Sequence, residues 1–236
     1  VAAIVSWKDR FELRLFVRRE LALLVTTECV FLFLLTIWIV FRSLEPTISH
    51  TEQLMDFALL NSTIETAFFP PEDPWLRGHD VSYYYMGHLM TGLLTKLTGI
   101  SSAITYNLSL AFFSSTAFVS VFSLTVTLVG SLGASRRKAI LFGLFSGLIL
   151  SVMGNLEGML ELLHSRGVGS TEFWASIAIK GLDSSALSLS WFPENDWWWW
   201  RATRVIDTLG NNGLSLDYTI QEFPFFSSML GDLHSH

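Results

Sequence analysis

Half of the 236 residues are hydrophobic, only 15% are charged, and the formal net charge is -6 at neutral pH. With a mean hydropathy of +0.44, the apolar content exceeds what one water-soluble core needs, and lipid becomes the expected solvent. The charge pattern gives no nucleic acid partner, because Lys and Arg gather in two short clusters and form no continuous basic face, and the single cysteine, Cys29, excludes an intrachain disulfide.

The segment from Lys8 to Arg19 is basic and amphipathic, with none of the pattern of a cleavable signal peptide. The chain does not begin with Met, and it stops at His236 where another apolar segment is about to start. It is therefore expected to be the N-terminal part of a longer membrane protein, a single membrane domain over 1-236 that needs the rest of the full-length chain as its partner. The predicted class is all-α integral membrane. A bilayer core takes roughly 20 apolar residues per helix, and three transmembrane helices are predicted at about 21-41, 106-132 and 139-160, with the start of a fourth span at the C-terminal end. All six prolines lie outside these spans, as continuous helices require.

Arg14, Arg18 and Arg19 precede the first span, and Arg136, Arg137 and Lys138 separate the second from the third. Both basic groups fall on one side, which the positive-inside rule makes cytoplasmic. The basic segment 1-20 and the short loop 133-138 are then cytoplasmic, as is the N-terminus. Two long loops with short helices, 45-105 and 164-236, are expected on the outer face of the cell membrane. The stretch Met86 to Ile100 is too short and too polar for a span and is predicted as an interfacial or re-entrant helix.

The first outer loop concentrates acids, tyrosines and a histidine: Glu45, Glu52, Asp56, Glu72, Asp73, then Asp80 through Tyr83, Tyr84 and Tyr85 to His88. A carboxylate partly removed from water can serve as a general base. Asp56, set among Leu54, Met55 and Phe57, is the candidate; the alternative is that it caps a helix beginning at Phe57. The second outer loop ends on Asp232, His234 and His236, which would share one side of an extended segment and suit a divalent ion. Their alternative is a polar helix start. Arg201 and Arg204 could hold a phosphate or snorkel to lipid headgroups. The Trp191 to Trp200 segment, with Trp197, Trp198, Trp199 and Trp200 in succession, fits an aromatic belt or a sugar-stacking surface. Glu28 lies inside the first span, and Glu157 and Glu161 fall one turn apart near the end of the third.

Several elements recur in order: Met55-Asp56-Phe57, Pro71 to Trp75, Tyr83 to His88, Asn155-Leu156-Glu157-Gly158, Trp200-Arg201, Glu222-Phe223-Pro224, and Gly231 to His234. On these the chain resembles the large archaeal and bacterial membrane proteins named for a triple-tyrosine signature, which are distantly similar to the GT-C glycosyltransferases. That resemblance implies a membrane enzyme taking sugar from a polyprenyl-phosphate-linked donor at the outer face, with membrane lipid as its surroundings. It makes Asp56 the essential acid of the first outer loop and Asp232-x-His234, with His236, a site for a divalent metal, magnesium or manganese. Glu52, Asp80, Tyr83, Tyr84, Tyr85, His88, Arg201, Arg204 and Glu222 become candidate substrate-binding residues. The triple tyrosine is not a general GT-C motif and inherits no role from it. The rival expectation is a transporter or ion pathway through Glu28, Glu157 and Glu161, or a non-catalytic assembly protein. Transporters commonly carry inverted repeats and broken helices, and neither is legible in the sequence.

Overall fold

The structure is a computed structural model that describes residues 10–177, 179, 182, 190–193, 198–205, 207–212 and 214–233. Nine helices run in the order α1 (Arg10–Leu44), α2 (Gln53–Glu65), α3 (Met86–Thr98), α4 (Ser102–Ser131), α5 (Arg136–Leu148), α6 (Glu157–Ser165), α7 (Thr171–Ile177), α8 (Trp198–Arg201) and α9 (Pro224–Leu230) among the described residues. Between α8 and α9 lies an antiparallel hairpin of β1 (Asp207–Leu209) and β2 (Ser215–Tyr218), which the composition did not announce.

Two of these helices, α1 and α4, are long and apolar enough to cross a membrane. The first exceeds its predicted core at both ends, because no breaker separates the arginine-rich stretch from the apolar run. The third predicted span is not one helix. Beyond α5 the chain continues as a π-helical turn, Ile149–Met153, and breaks before α6. The cause is Gly154, at φ +55°, where a Cβ atom would come within 2.5 Å of the Phe223 ring. Together, Arg136–Met153 and Glu157–Ser165 make a third span only if the broken pair counts as one. The expectation of unbroken helices is thus corrected: an interior glycine, not a proline, interrupts this one. The start of a fourth span was expected at the C-terminal end, where residues 234–236 lie outside the described residues.

The chain divides into two compact units, Val1–Pro46 with Asn107–Gly147, and Thr47–Tyr106 with Leu148–His236. In the first, Phe118, Phe122, Val126 and Ala139 form a buried cluster. Gly143 and Gly147, four residues apart on α5, lie so close to α4 that a Cβ on either would meet Phe122 or Phe118 at 2.8 Å or less. Small residues at this spacing let helices approach in lipid, where packing substitutes for the hydrophobic effect. Arg42, buried near the end of α1, donates twice to Asn107 Oδ1, at 3.1 and 2.7 Å. In the second unit α2 packs on α3, and short segments after α6 complete the surroundings of the candidate site.

Candidate functional site

Helix α2 begins at Gln53 with Glu52 at its N-cap and no side-chain capping bond. Asp56 is therefore one turn inside the helix and does not cap a helix starting at Phe57. Its carboxylate is fully buried and has two partners from distant parts of the chain. Oδ1 lies 3.1 Å from His88 Nε2 on α3, and Oδ2 accepts the Leu233 backbone N–H at 2.7 Å.

Gln53, Thr51 and Tyr106 hold the end of α9 and the turn after it at further points. The Gln53 side-chain amide donates to the Leu230 carbonyl, while its oxygen accepts the Ser49 and His50 amides at 3.2 and 3.4 Å. Thr51 Oγ1 donates to Asp232 Oδ1 at 3.1 Å, and the Tyr106 hydroxyl donates to the Gly231 carbonyl at 2.8 Å. Gly231, at φ +75°, ends α9 in the left-handed conformation that favours glycine and turns the chain toward Asp56. Gln53, Tyr106 and the Leu233 amide were not among the sequence candidates. Gln53 could have been found from its position three residues before Asp56, on the same helical face; a backbone amide carries no residue-type signal at all.

A carboxylate offers only acceptor sites, so His88 Nε2 is the donor to Asp56. In the neutral ring this leaves Nδ1 with its lone pair. Nδ1 is buried and has no partner among the described residues, and the same holds for Thr91 Oγ1 three residues further along α3. Thr91 differs in this from Thr63 and Thr95, whose hydroxyls donate to the carbonyls four residues back at 2.8 Å.

The Tyr83 and Tyr84 rings stack with centroids 3.9 Å apart, and the Tyr83 hydroxyl donates to that of Tyr84. Tyr83 and Tyr84 are exposed overall, yet partial desolvation pushes the Tyr83 pKa up against the lowering effect of its bond to Tyr84, and the carboxylates of Glu52, Asp56 and Glu222 add to the rise. Tyr84 is pushed up further, by partial desolvation first and then by its hydrogen bond with Tyr83. Glu52, Asp56 and Glu222 thus reach the tyrosine pair electrostatically. Tyr85 stands at the N-cap of α3 and stacks on Phe69, centroids 6.2 Å apart. Asp80 is exposed, and its backbone bridges to Glu72.

Glu157 and Glu161 are both buried on α6. Arg201 holds Glu161 in a two-pronged pair, Nε to Oε1 and Nη2 to Oε2, the latter at 3.0 Å. Both Glu157 oxygens are buried, within electrostatic reach of Glu161 and Arg201. The Arg204 guanidinium carbon sits 3.7 Å from the Trp200 ring centroid, and the group also donates to Thr203 Oγ1. Trp200 packs in turn on Phe226, centroids 5.4 Å apart. Arg201, Arg204 and Trp200, candidates for phosphate, headgroup or belt contacts, also have partners within the protein, where carboxylate and aromatic groups lie within reach. Trp197 lies outside the described residues.

Among the described residues no group of three or more His, Cys, Asp and Glu side chains could hold a metal ion. Asp232 is buried, with one oxygen on Thr51, and His234 and His236 lie outside the described residues. The described donors do not by themselves make the expected metal centre.

A family model described as an uncharacterized membrane protein (DUF2298) matches residues 1–236. The chain belongs to this family. No curated protein and no solved structure matches it. With its apolar helices, the DUF2298 chain is a membrane protein. Its sequence candidates separate into two sets. Asp56 touches His88 directly and reaches the Asp232-Leu233 segment through the Leu233 amide, and Tyr83 lies within electrostatic reach of Asp56, Glu52 and Glu222. Arg201 and Arg204 engage Glu161, Thr203 and Trp200.

Proposed function

We propose that this DUF2298 chain is the catalytic part of a GT-C type glycosyltransferase. It would move a sugar from a polyprenyl-phosphate donor to an acceptor hydroxyl or amide at the outer membrane face, with its basic loops cytoplasmic. The observation that carries this reading is the meeting of Asp56 with His88 and the Leu233 amide, groups brought from three separate segments around one carboxylate. Such an Asp–His pair is suited to acid–base work: the carboxylate fixes the Nε2–H tautomer and leaves Nδ1 to take a proton. In the transfer the acceptor's O–H proton goes to His88 Nδ1 as its oxygen bonds to the sugar C1. The C1–O bond to phosphate breaks, and polyprenyl phosphate leaves with the electron pair. Tyr83, Tyr84, Tyr85, Glu52, Asp80 and Glu222 would line the sugar side. The described residues support no step through a metal ion.

Transfer from a polyprenyl-phosphate sugar by the full-length protein in native membranes tests this reading. Asp56→Asn and His88→Gln, each confirmed folded, should abolish turnover, and undiminished transfer in both rules the reading out. A transporter is the second reading, favoured by the helix broken at Gly154 beside the buried Glu157. Proteoliposomes that pass protons or cations, and lose the flux with Glu157→Gln, would favour it instead.

A further inference from the structure

Helix α3 holds two polar groups whose burial nothing in the described residues compensates. His88 and Thr91 are 1% and 0% exposed, and neither His88 Nδ1 nor Thr91 Oγ1 has a hydrogen-bond partner among the described residues. Leaving such an atom unsatisfied forfeits its hydration with no return, so two of them together call for an explanation. Their spacing supplies one. Residues three apart on a helix share a face, with Cβ atoms roughly 5–6 Å apart, and one oxygen hydrogen-bonded to both side chains fits such a separation.

The protonation pattern fixes which oxygen chemistry fits. Asp56 takes the Nε2–H, so Nδ1 of the neutral ring can only accept. Its complement is an O–H donor. Thr91 Oγ1 can donate or accept, and unlike Thr63 and Thr95 it has not turned back onto its own helix. A threonine on a helix can satisfy itself at the carbonyl four residues back, so a hydroxyl held away from that carbonyl is free to meet another group. Gly92, next along α3, faces α2: a Cβ there would lie 3.4 Å from the Ile64 side chain.

We propose that His88 Nδ1 and Thr91 Oγ1 together bind a single hydroxyl oxygen, that of a water molecule or of an alcohol, between α2 and α3. His88 accepts its proton and Thr91 orients it. The binding stands on its own; its use in transfer, with Thr91 as a positioning residue for the acceptor hydroxyl, rests on the glycosyltransferase reading above.

The test is nitrogen-15 NMR of the full-length protein labelled at histidine, with the His88 ring assigned from His88→Gln. A bound water gives Nδ1 a hydrogen-bonded shift in plain buffer, while a site that takes only an alcohol gives it after methanol is added. In either case Thr91→Val, which keeps the shape and removes the hydroxyl, moves the Nδ1 resonance and lowers the melting midpoint, and Thr91→Ser restores both. The proposal is overturned if Nδ1 keeps a bare acceptor shift in both conditions, or if Thr91→Val leaves it unmoved and melts no lower than wild type. Because none of these signals is turnover, a loss of the glycosyltransferase reading would leave them standing, and their own failure would show even if transfer were observed.

Discussion

Both units of this chain bury apolar side chains, and they differ most in the ionisable groups buried with them. In the one containing α1 and most of α4 and α5, the buried cluster is Phe118, Phe122, Val126 and Ala139, and the closest approach is glycine against a phenylalanine ring. In the other, Gln53, Asp56, His88, Thr91, Glu157, Glu161 and Asp232 are all buried. Lipid explains the first, since helices there gain from close contact and have no water to escape. The second is bound by hydrogen bonds between residues far apart in sequence, and buried polar networks of that kind specify one geometry when satisfied and cost heavily when cut. One unit should therefore answer to changes of volume, the other to changes of donor and acceptor.

The largest break in this contrast is expected at Asp56. Asp56→Asn keeps the volume but spoils the pattern, since one of its two oxygens becomes a donor facing another donor. On the proposed function, transfer in a membrane assay falls by about 10²–10⁴-fold, the usual worth of a positioned acid–base group. Next comes Arg201→Ala, which strands the buried Glu161 carboxylate and should cost about 3 kcal/mol, read as a lower melting midpoint in detergent. In the apolar unit, Gly147→Ala drives a methyl group to 2.6 Å from Phe118, and the resulting overpacking should cost about 1–3 kcal/mol by the same measurement. A hydrogen-bond change there should do little: Thr127→Val removes only a bond to the Ser123 carbonyl on an exposed face.

The smallest effect concerns pH. Folding raises the pKa of both Tyr83 and Tyr84 above 10.0, so the folded chain holds these protons more tightly than the unfolded one. Their contribution to stability is complete below pH 10.0 and is lost as the pH climbs above it. Thermal midpoints measured across that range should fall, and Tyr84→Phe should flatten the fall.

The first two spans were legible because hydrophobicity over twenty residues is a signal that no tertiary contact needs to complete. The break at Gly154 was not, because its cause is the ring of Phe223, far along the chain, filling the space beside a glycine that sequence alone reads as an ordinary member of an apolar run. The hairpin had a local signal, the Asn211-Asn212-Gly213 turn signature between two short strand-forming stretches, but the tryptophans before it drew the segment toward a membrane-interface interpretation. At the site, the chemical type of Asp56 was readable from an acid placed among apolar neighbours. Its partners were not: a histidine thirty-two residues on and a backbone amide leave no mark in the composition around it. Arg201 illustrates the opposite limit, since its suitability for phosphate is a property of the residue type, while its engagement with Glu161 is a property of the fold.

The bond from Asp56 to Leu233 joins positions 177 residues apart. At a synthesis rate of about 5–20 residues per second, a nascent chain carries Asp56 for roughly ten to thirty-five seconds before its backbone partner has even been made. During that interval the carboxylate can meet His88 but not its backbone partner, so the helices threaded into the bilayer meanwhile are inserted before this acidic turn can close.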